Sequence, residues 1–212
     1  MKNFTAALIA VLLLSAPACA AKYPAISDAD LNDGIELGQE IEVRADGDLN
    51  DDGLIDTAYV VASPDRRTLY VLIASDKDGK QSYDMEASHD FETYPLVPGE
   101  LSIKKGVLIF KDVTGGTLAM ASTYRYHMEK ARMRLIGLDA ILYSRTYAHG
   151  GFEMSWNLLN HNMETAELQV NEKDPTSGYI KIFPQKFKWF SNPIMMEDTP
   201  DPEMVMIDVR KD

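Results

Sequence analysis

Tyr124-Arg125-Tyr126-His127-Met128-Glu129-Lys130-Ala131-Arg132-Met133-Arg134-Leu135-Ile136-Gly137 is the stretch on which the fold turns. Residues 128–143 are rich in Met, Glu, Lys, Ala, Arg and Leu, and propensity alone makes them a helix. Tyr124-Arg125-Tyr126 before and Arg134-Leu135-Ile136-Gly137 after read instead as two strands around a turn at residues 129–131. Composition does not choose between the two.

The segments on either side lean towards strand. Ile55, Thr57, Tyr59 and Val61 recur with period two, Pro64-Asp65 forms a turn, and residues 68–74 are a β-branched and aromatic run. Asp78-Gly79 closes a hairpin onto residues 82–87. Further strands are expected at residues 101–104, 107–111, 118–126, 151–158, 167–170, 179–183 and 204–209, with Gly, Pro, Asn and Asp between them. This pattern predicts a mainly β chain of antiparallel sheets, sandwich-like or as one curved sheet, with one or two short helices. Ser27 followed by Asp30 marks one such helix, which Gly34 and Gly38 keep short.

The chain has 212 residues and a formal net charge of -12, with 45% apolar and 25% charged residues. That composition fits one globular domain. The acidity makes nucleic acid and anionic lipid poor partners and suits hard cations. At the N-terminus Lys2, the short apolar run 6–14 and Ala18-Cys19-Ala20 form a secretory signal with an A-x-A cleavage site. Cleavage after Ala20 sends the protein to the periplasm or beyond and removes its single cysteine, so neither disulfides nor thiolate metal sites are available to it. The alternative is a lipoprotein, since Ala16-Pro17-Ala18-Cys19 partly matches the box before a lipidated cysteine. A membrane is then a partner only through Cys19. The expected organisation is a signal at 1–20, an acidic segment at 21–45 packing on the domain, and a β-rich domain at 46–212. From residue 28 to 56 there are eleven acids and one base, Arg44.

Asp48-Leu49-Asn50-Asp51-Asp52-Gly53-Leu54-Ile55-Asp56 is the strongest chemical motif. It fits D-x-N-x-D-G-x-x-D, in which alternate oxygens converge because the glycine permits a tight turn. Asp48, Asn50 and Asp52 would supply side-chain oxygens to Ca²⁺, Leu54 its carbonyl, and Asp56 a direct or water-mediated contact. Tyr59 stands where an EF-hand carries its bidentate Glu, so weak affinity is expected, in the roughly 0.1–1 mM range of extracellular modules. The plainer reading of the same residues is a solvated acidic turn.

Gly47 through Asp56, running into Thr57-Ala58-Tyr59-Val60-Val61, resembles the calcium loop and strand of FG-GAP or VCBS-like bacterial envelope proteins. Tyr124-Arg125-Tyr126, Arg134-Leu135-Ile136-Gly137 and Ser155-Trp156-Asn157-Leu158-Leu159 are similar to an ordered series in uncharacterised secreted proteins that share this loop. Asn160-His161 departs from it, standing in place of a Thr-Gly-like turn. The single loop is too few for a propeller. The resemblance implies one β-rich domain and a strand hairpin across residues 124–137. It brings no catalytic residues.

The enzyme signals are weak. His89, His127, His149 and His161 lack H-x-x-x-H spacing, and Ser102-Ile103-Lys104-Lys105 matches S-x-x-K without its companion motifs. Neither G-x-S-x-G nor a phosphate-binding glycine loop occurs. Phe183, Phe187, Trp189 and Phe190, interleaved with Lys181, Lys186 and Lys188, form either a sugar or peptide platform or core with lysines reaching outward. The expectation is a calcium-stabilised, non-catalytic binding module of the cell envelope, its partner an envelope protein or glycan, with a periplasmic hydrolase as the alternative.

Overall fold

The computed structural model describes residues 23–173 and 178–211, so the signal and Cys19 lie outside the described residues. Helix α1 (Asp28–Asp33) is followed by strands β1 (Glu40–Gly47), β2 (Asp56–Ala62), β3 (Arg67–Lys77), β4 (Lys80–Asp90), β5 (Glu100–Lys104) and β6 (Val107–Gly115). Then come β7 (Leu118–Glu129), β8 (Arg132–Ser144), β9 (Gly151–Asn157), β10 (Asn162–Val170) and β11 (Tyr179–Lys188). A 3-10 turn (Met196–Asp198) and helix α2 (Pro202–Val209) complete the described chain. The strands form two antiparallel meanders, β1-β2-β3-β4 and β5 through β11, in which every strand pairs with its sequence neighbour. The fold is mainly β, as expected.

The deciding stretch is a hairpin. Glu129 pairs with Arg132, and Lys130 and Ala131 make the turn with φ of 51° and 59°. Asp78-Gly79 and Lys105-Gly106 close their hairpins in the same way, with both residues at positive φ. That is the turn whose twist matches the flanking strands. Along β7, Tyr124 and Tyr126 are buried while Arg125 and His127 face out, a period of two that overrides helix propensity. The hairpin implied by the resemblance is therefore present.

The four-stranded sheet folds onto one face of the seven-stranded sheet. Ala58, Val60, Leu69, Val71 and Ala87 meet Leu108, Phe110, Tyr124, Tyr126, Leu138 and Trp156 in one core. Helix α2 seals the remainder with Val205, Met206 and Val209. On the other side of the small sheet, Leu31 of α1 packs with Tyr59, Val61 and Leu72. The strand β2, apolar on both faces, is accordingly buried along almost its whole length.

Two expectations change. Residues 204–209 are not a strand. Pro202 opens a helix and the Asp201 carboxylate caps it, accepting the N–H groups of Glu203 (2.7 Å) and Met204 (3.4 Å). Pro202, Val205, Met206 and Val209 are its buried residues, spaced i, i+3, i+4, i+7. In addition, β1 begins within the acidic N-terminal segment and forms an edge of the small sheet.

Where β1 meets β5, the two sheets are joined by buried charge. Arg67 is 1% exposed and donates to Glu42 from Nε and Nη2, both at 2.6 Å, and to Asp112 from Nη1 at 2.9 Å. Glu42 also accepts the Gly99 N–H at 2.6 Å. A side chain at Gly99 would sit 2.6 Å from the Phe110 ring, so only glycine fits there.

Candidate metal centre and ligand face

The Asp48–Asp56 loop is built from consecutive turns closed by side chains. Asp48 accepts the N–H of Asn50 (3.2 Å) and Gly53 (2.9 Å), Asn50 Oδ1 accepts that of Asp52 (3.1 Å), and Asp52 accepts that of Leu54 (2.8 Å). Asp51 and Gly53 take positive φ of 60° and 81°, which lets the chain reverse twice within the loop. Leu49, 1% exposed, pins the loop to the core.

Asp56 stands apart from the others. It is fully buried, and its two oxygens accept the N–H of Leu49 (2.7 Å) and Ala74 (2.8 Å), tying the loop to β3. Burial pushes its pKa up to about 6, the two N–H bonds oppose that rise, and the nearby charges of Asp52 and Asp48 add to it.

Asp48, Asn50, Asp52 and Leu54 thus bring a hard-oxygen donor set to one short loop. Each side-chain oxygen that accepts one N–H keeps a further lone pair. The chemistry fits a divalent cation, with Asp56 as the anchor beneath. Among the described residues no three His, Cys, Asp or Glu side chains gather tightly enough to hold a metal by themselves.

Sequence reasoning missed the outer face of the large sheet. The register aligns Glu100, Lys111, Thr123, Asp139, Ser155, Glu164 and Lys186 in a row that takes one residue from each of its seven strands. At about 4.8 Å per strand the row runs nearly 30 Å. Val113, Ala121, Ile141, Glu153 and Ala166 form the next row. Residues from β5 and β11, at opposite ends, line one trough of about 680 Å³ over this face. Its floor is short side chains, among them Ala121, Thr123 and Ser155.

Four ion pairs surround the trough: Glu100 with Lys111 (2.8 Å), Arg125 with Asp139 (2.6 Å), Lys181 with Glu153 (2.5 Å), and Lys186 with Glu164. Ser155 also donates to Asp139 (2.7 Å). On a chain carrying -12, this face is electrically balanced. The alternation of polar residues along each strand was visible in the sequence, but their alignment across strands required the register.

The aromatic run near the C-terminus divides. Phe187 and Trp189 pack edge to face on each other (6.3 Å) and against the core, whereas Phe183 and Phe190 are largely exposed. Lys181 and Lys186 pair with trough carboxylates, and Lys188 holds Asn160 and Asn162. Of the histidines, His89 packs edge to face on Phe91 (4.8 Å), His127 bonds the Gly106 carbonyl (3.0 Å), and His161 lies against Phe190 (5.0 Å). Lys105 is a turn residue, so Ser102-Ile103-Lys104-Lys105 has no helical turn to bring its ends together. No helix among the described residues is long and apolar enough to cross a membrane. Comparison with family models, curated proteins and solved structures finds no match to this chain.

Proposed function

We propose that this is a calcium-stabilised, non-catalytic binding protein of the bacterial cell envelope, exported by its N-terminal signal, with a neutral glycan as the ligand of the trough. The observation that carries the reading is the trough itself. Its volume falls in the roughly 300–1,000 Å³ range of ligand sites. Its charges are balanced, so it offers paired donors and acceptors without selecting a charged ligand, and Val113, Ala121, Ile141 and Ala166 in the row beside them suit the faces of sugar rings. Exposed ion pairs of this kind are worth roughly 0–1 kcal/mol each, so hydroxyl groups can re-pair them at little cost. The oxygen-rich loop and its resemblance to FG-GAP/VCBS-like loops support calcium as a structural ion. Glycan titration by calorimetry tests the proposal. Neutral oligosaccharides should bind, and Ile141→Arg, which fills the trough from an outward position, should abolish binding while leaving the melting temperature nearly unchanged. Failure of every neutral oligosaccharide to bind, or equal binding by the variant, would remove the glycan reading.

A hydrolase is the second reading, and one observation favours it. Asp139 and Glu153 are diagonal neighbours on adjacent strands and both line the trough. A pair of carboxylates facing one cleft is the residue type that glycosidases use. Release of reducing ends from a bound glycan, lost in both Asp139→Asn and Glu153→Gln, would favour the enzyme over the binding module.

A further inference from the structure

The trough lies across the strands, and its repeat is that of the sheet. Neighbouring strands are about 4.8 Å apart, so the row from Glu100 to Lys186 offers a polar group at that interval over roughly 30 Å. The row beside it, Val113, Ala121, Ile141 and Ala166, keeps the same interval and is interrupted by Glu153, which Lys181 holds at 2.5 Å. We infer that the ligand of the trough is a β-1,4-linked chain of all-equatorial hexopyranose rings laid across the strands, and that Phe183 stacks on the ring at the β11 end. The inference rests on the glycan reading above and narrows it to one linkage and one ring stereochemistry.

Linkage is the first reason. A β-1,4 chain of such rings is a flat, extended ribbon whose advance per ring is close to the strand spacing, so successive rings meet successive strands. An α-1,4 chain coils and leaves the row after a few rings. Stereochemistry is the second reason. All-equatorial rings carry their hydroxyl groups on the edges and only C–H groups on the faces, which matches a polar row lying beside a mostly apolar one. An axial hydroxyl would set a polar group against Ala121 or Ile141 without a partner, and an unpaired desolvated hydroxyl is costly.

Phe183 supplies the third reason. Strand β11 bulges here: Glu167 pairs with Ile182 and Thr165 with Gln185, so Ala166, at the end of the apolar row on β10, faces both Phe183 and Pro184. Phe183 has φ of 50°, the left-handed conformation that such bulges usually give to glycine, and it is 74% exposed, so burial of the ring does not offset the strain. Addition of a further strand does not explain it either, since Pro184 and the bulge protect this sheet edge from pairing. Lys181, Pro184 and Gln185 line the trough, and an exposed ring beside that lining offers a flat apolar surface to the face of a sugar.

Calorimetric titration of the purified protein at fixed calcium with cellohexaose, chitohexaose and maltohexaose tests the inference. One or both β-1,4 hexaoses should bind at least about tenfold more tightly than maltohexaose. Affinity should rise from the β-1,4 dimer to the tetramer to the hexamer, since about six rings fill the row. Phe183→Gly should weaken hexaose binding about tenfold while raising the melting temperature, because glycine relieves the left-handed strain, and Phe183→Tyr should bind like the wild type. A residue that served folding alone would not give opposite signs in binding and stability. Maltohexaose binding as tightly as both β-1,4 hexaoses leaves the glycan reading standing and overturns this inference. So does a hexaose affinity that is unchanged in Phe183→Gly or no greater than that of the dimer. If no neutral oligosaccharide of any linkage binds, the glycan reading falls and this inference with it.

Discussion

Replacing Arg67 by methionine tests how the two sheets are held together. The substitution keeps the length of the apolar stem over Phe110, whose ring lies 5.5 Å from the guanidinium, and removes only the charge and its hydrogen bonds. Glu42, 10% exposed, and Asp112, 4% exposed, are then left as buried like charges with no cation between them. Breaking a buried network by removing one partner costs about 3–5 kcal/mol, most of it the desolvation of the orphaned charges. For a domain of this size each kcal/mol moves the melting temperature by about 2–4 °C, so a fall of roughly 6–20 °C is expected in thermal unfolding. The triple variant Glu42→Leu, Arg67→Met, Asp112→Leu should recover much of that loss, because an apolar replacement of a buried ion cluster is often neutral or better. The single variant should also be less damaging in mild acid than at neutral pH. Asp112 already has a raised pKa from burial, and without Arg67 it takes up a proton more readily. Urea denaturation with an unchanged slope gives the free energies directly. A cost below about 1 kcal/mol for Arg67→Met would refute the reasoning, since it would mean that water reaches the two carboxylates.

Three further outcomes follow from the structure. With a dissociation constant of roughly 0.1–1 mM, 2 mM calcium should stabilise the fold by about 0.6–1.8 kcal/mol; differential scanning fluorimetry should show the rise, and Asp52→Ala should abolish it while Asp33→Ala does not. Ala131→Gly should stabilise by about 1 kcal/mol in urea melts, because the left-handed turn strains a β-carbon there. Asp56 sets a pH dependence in chelator: its folded pKa of about 6 exceeds the ordinary value of 3.8, so the native state takes up a proton first, and stability gains up to about 3 kcal/mol as pH falls from 7 towards 4. Asp56→Asn should lack that component.

The strands were legible where one face is core and the other is solvent. In β7 and β9 the alternation of Tyr124 and Tyr126, or of Phe152, Met154 and Trp156, with polar neighbours is the physical cause of the strand, and periodicity reads it directly. Helix α2 was misread because Met-Val-Met-Ile-Asp-Val is apolar on nearly every side. Only the Asp-Pro opening and the spacing of Val205, Met206 and Val209 distinguish it from a strand. The loop was legible because its chemistry is local, each turn being closed by a side chain two to five residues away. Arg67, Glu42 and Asp112 were not, since their contacts span 25 and 45 residues. The one local hint was Asp112, which stands in phase with the buried Leu108 and Phe110. The trough depends still more on distance, because its polar row exists only when seven strands are in register.

The loop and the trough are mechanically connected through the seam between the sheets. Residues 48–55 join β1 to β2, and β1 lies along β5, where Gly47 approaches Ile103 so closely that a β-carbon on it would fall 2.8 Å from that side chain. Glu100 of β5 is in turn one end of the polar row. An ion held by Asp48, Asn50 and Asp52 would restrain the end of β1, and with it the position of β5. Asp56 would pass the same restraint to β3 through the Ala74 N–H. Arg67 and Glu42 clamp the seam from the other end of β1. The two clamps would act on the same two neighbouring strands but differ in chemistry, so they should respond differently. Chelation loosens the loop end alone, and Arg67→Met loosens the opposite end alone. If the trough wall depends on the seam, each should weaken ligand binding there, and together they should weaken it by more than the sum, because either clamp by itself still holds β1 against β5.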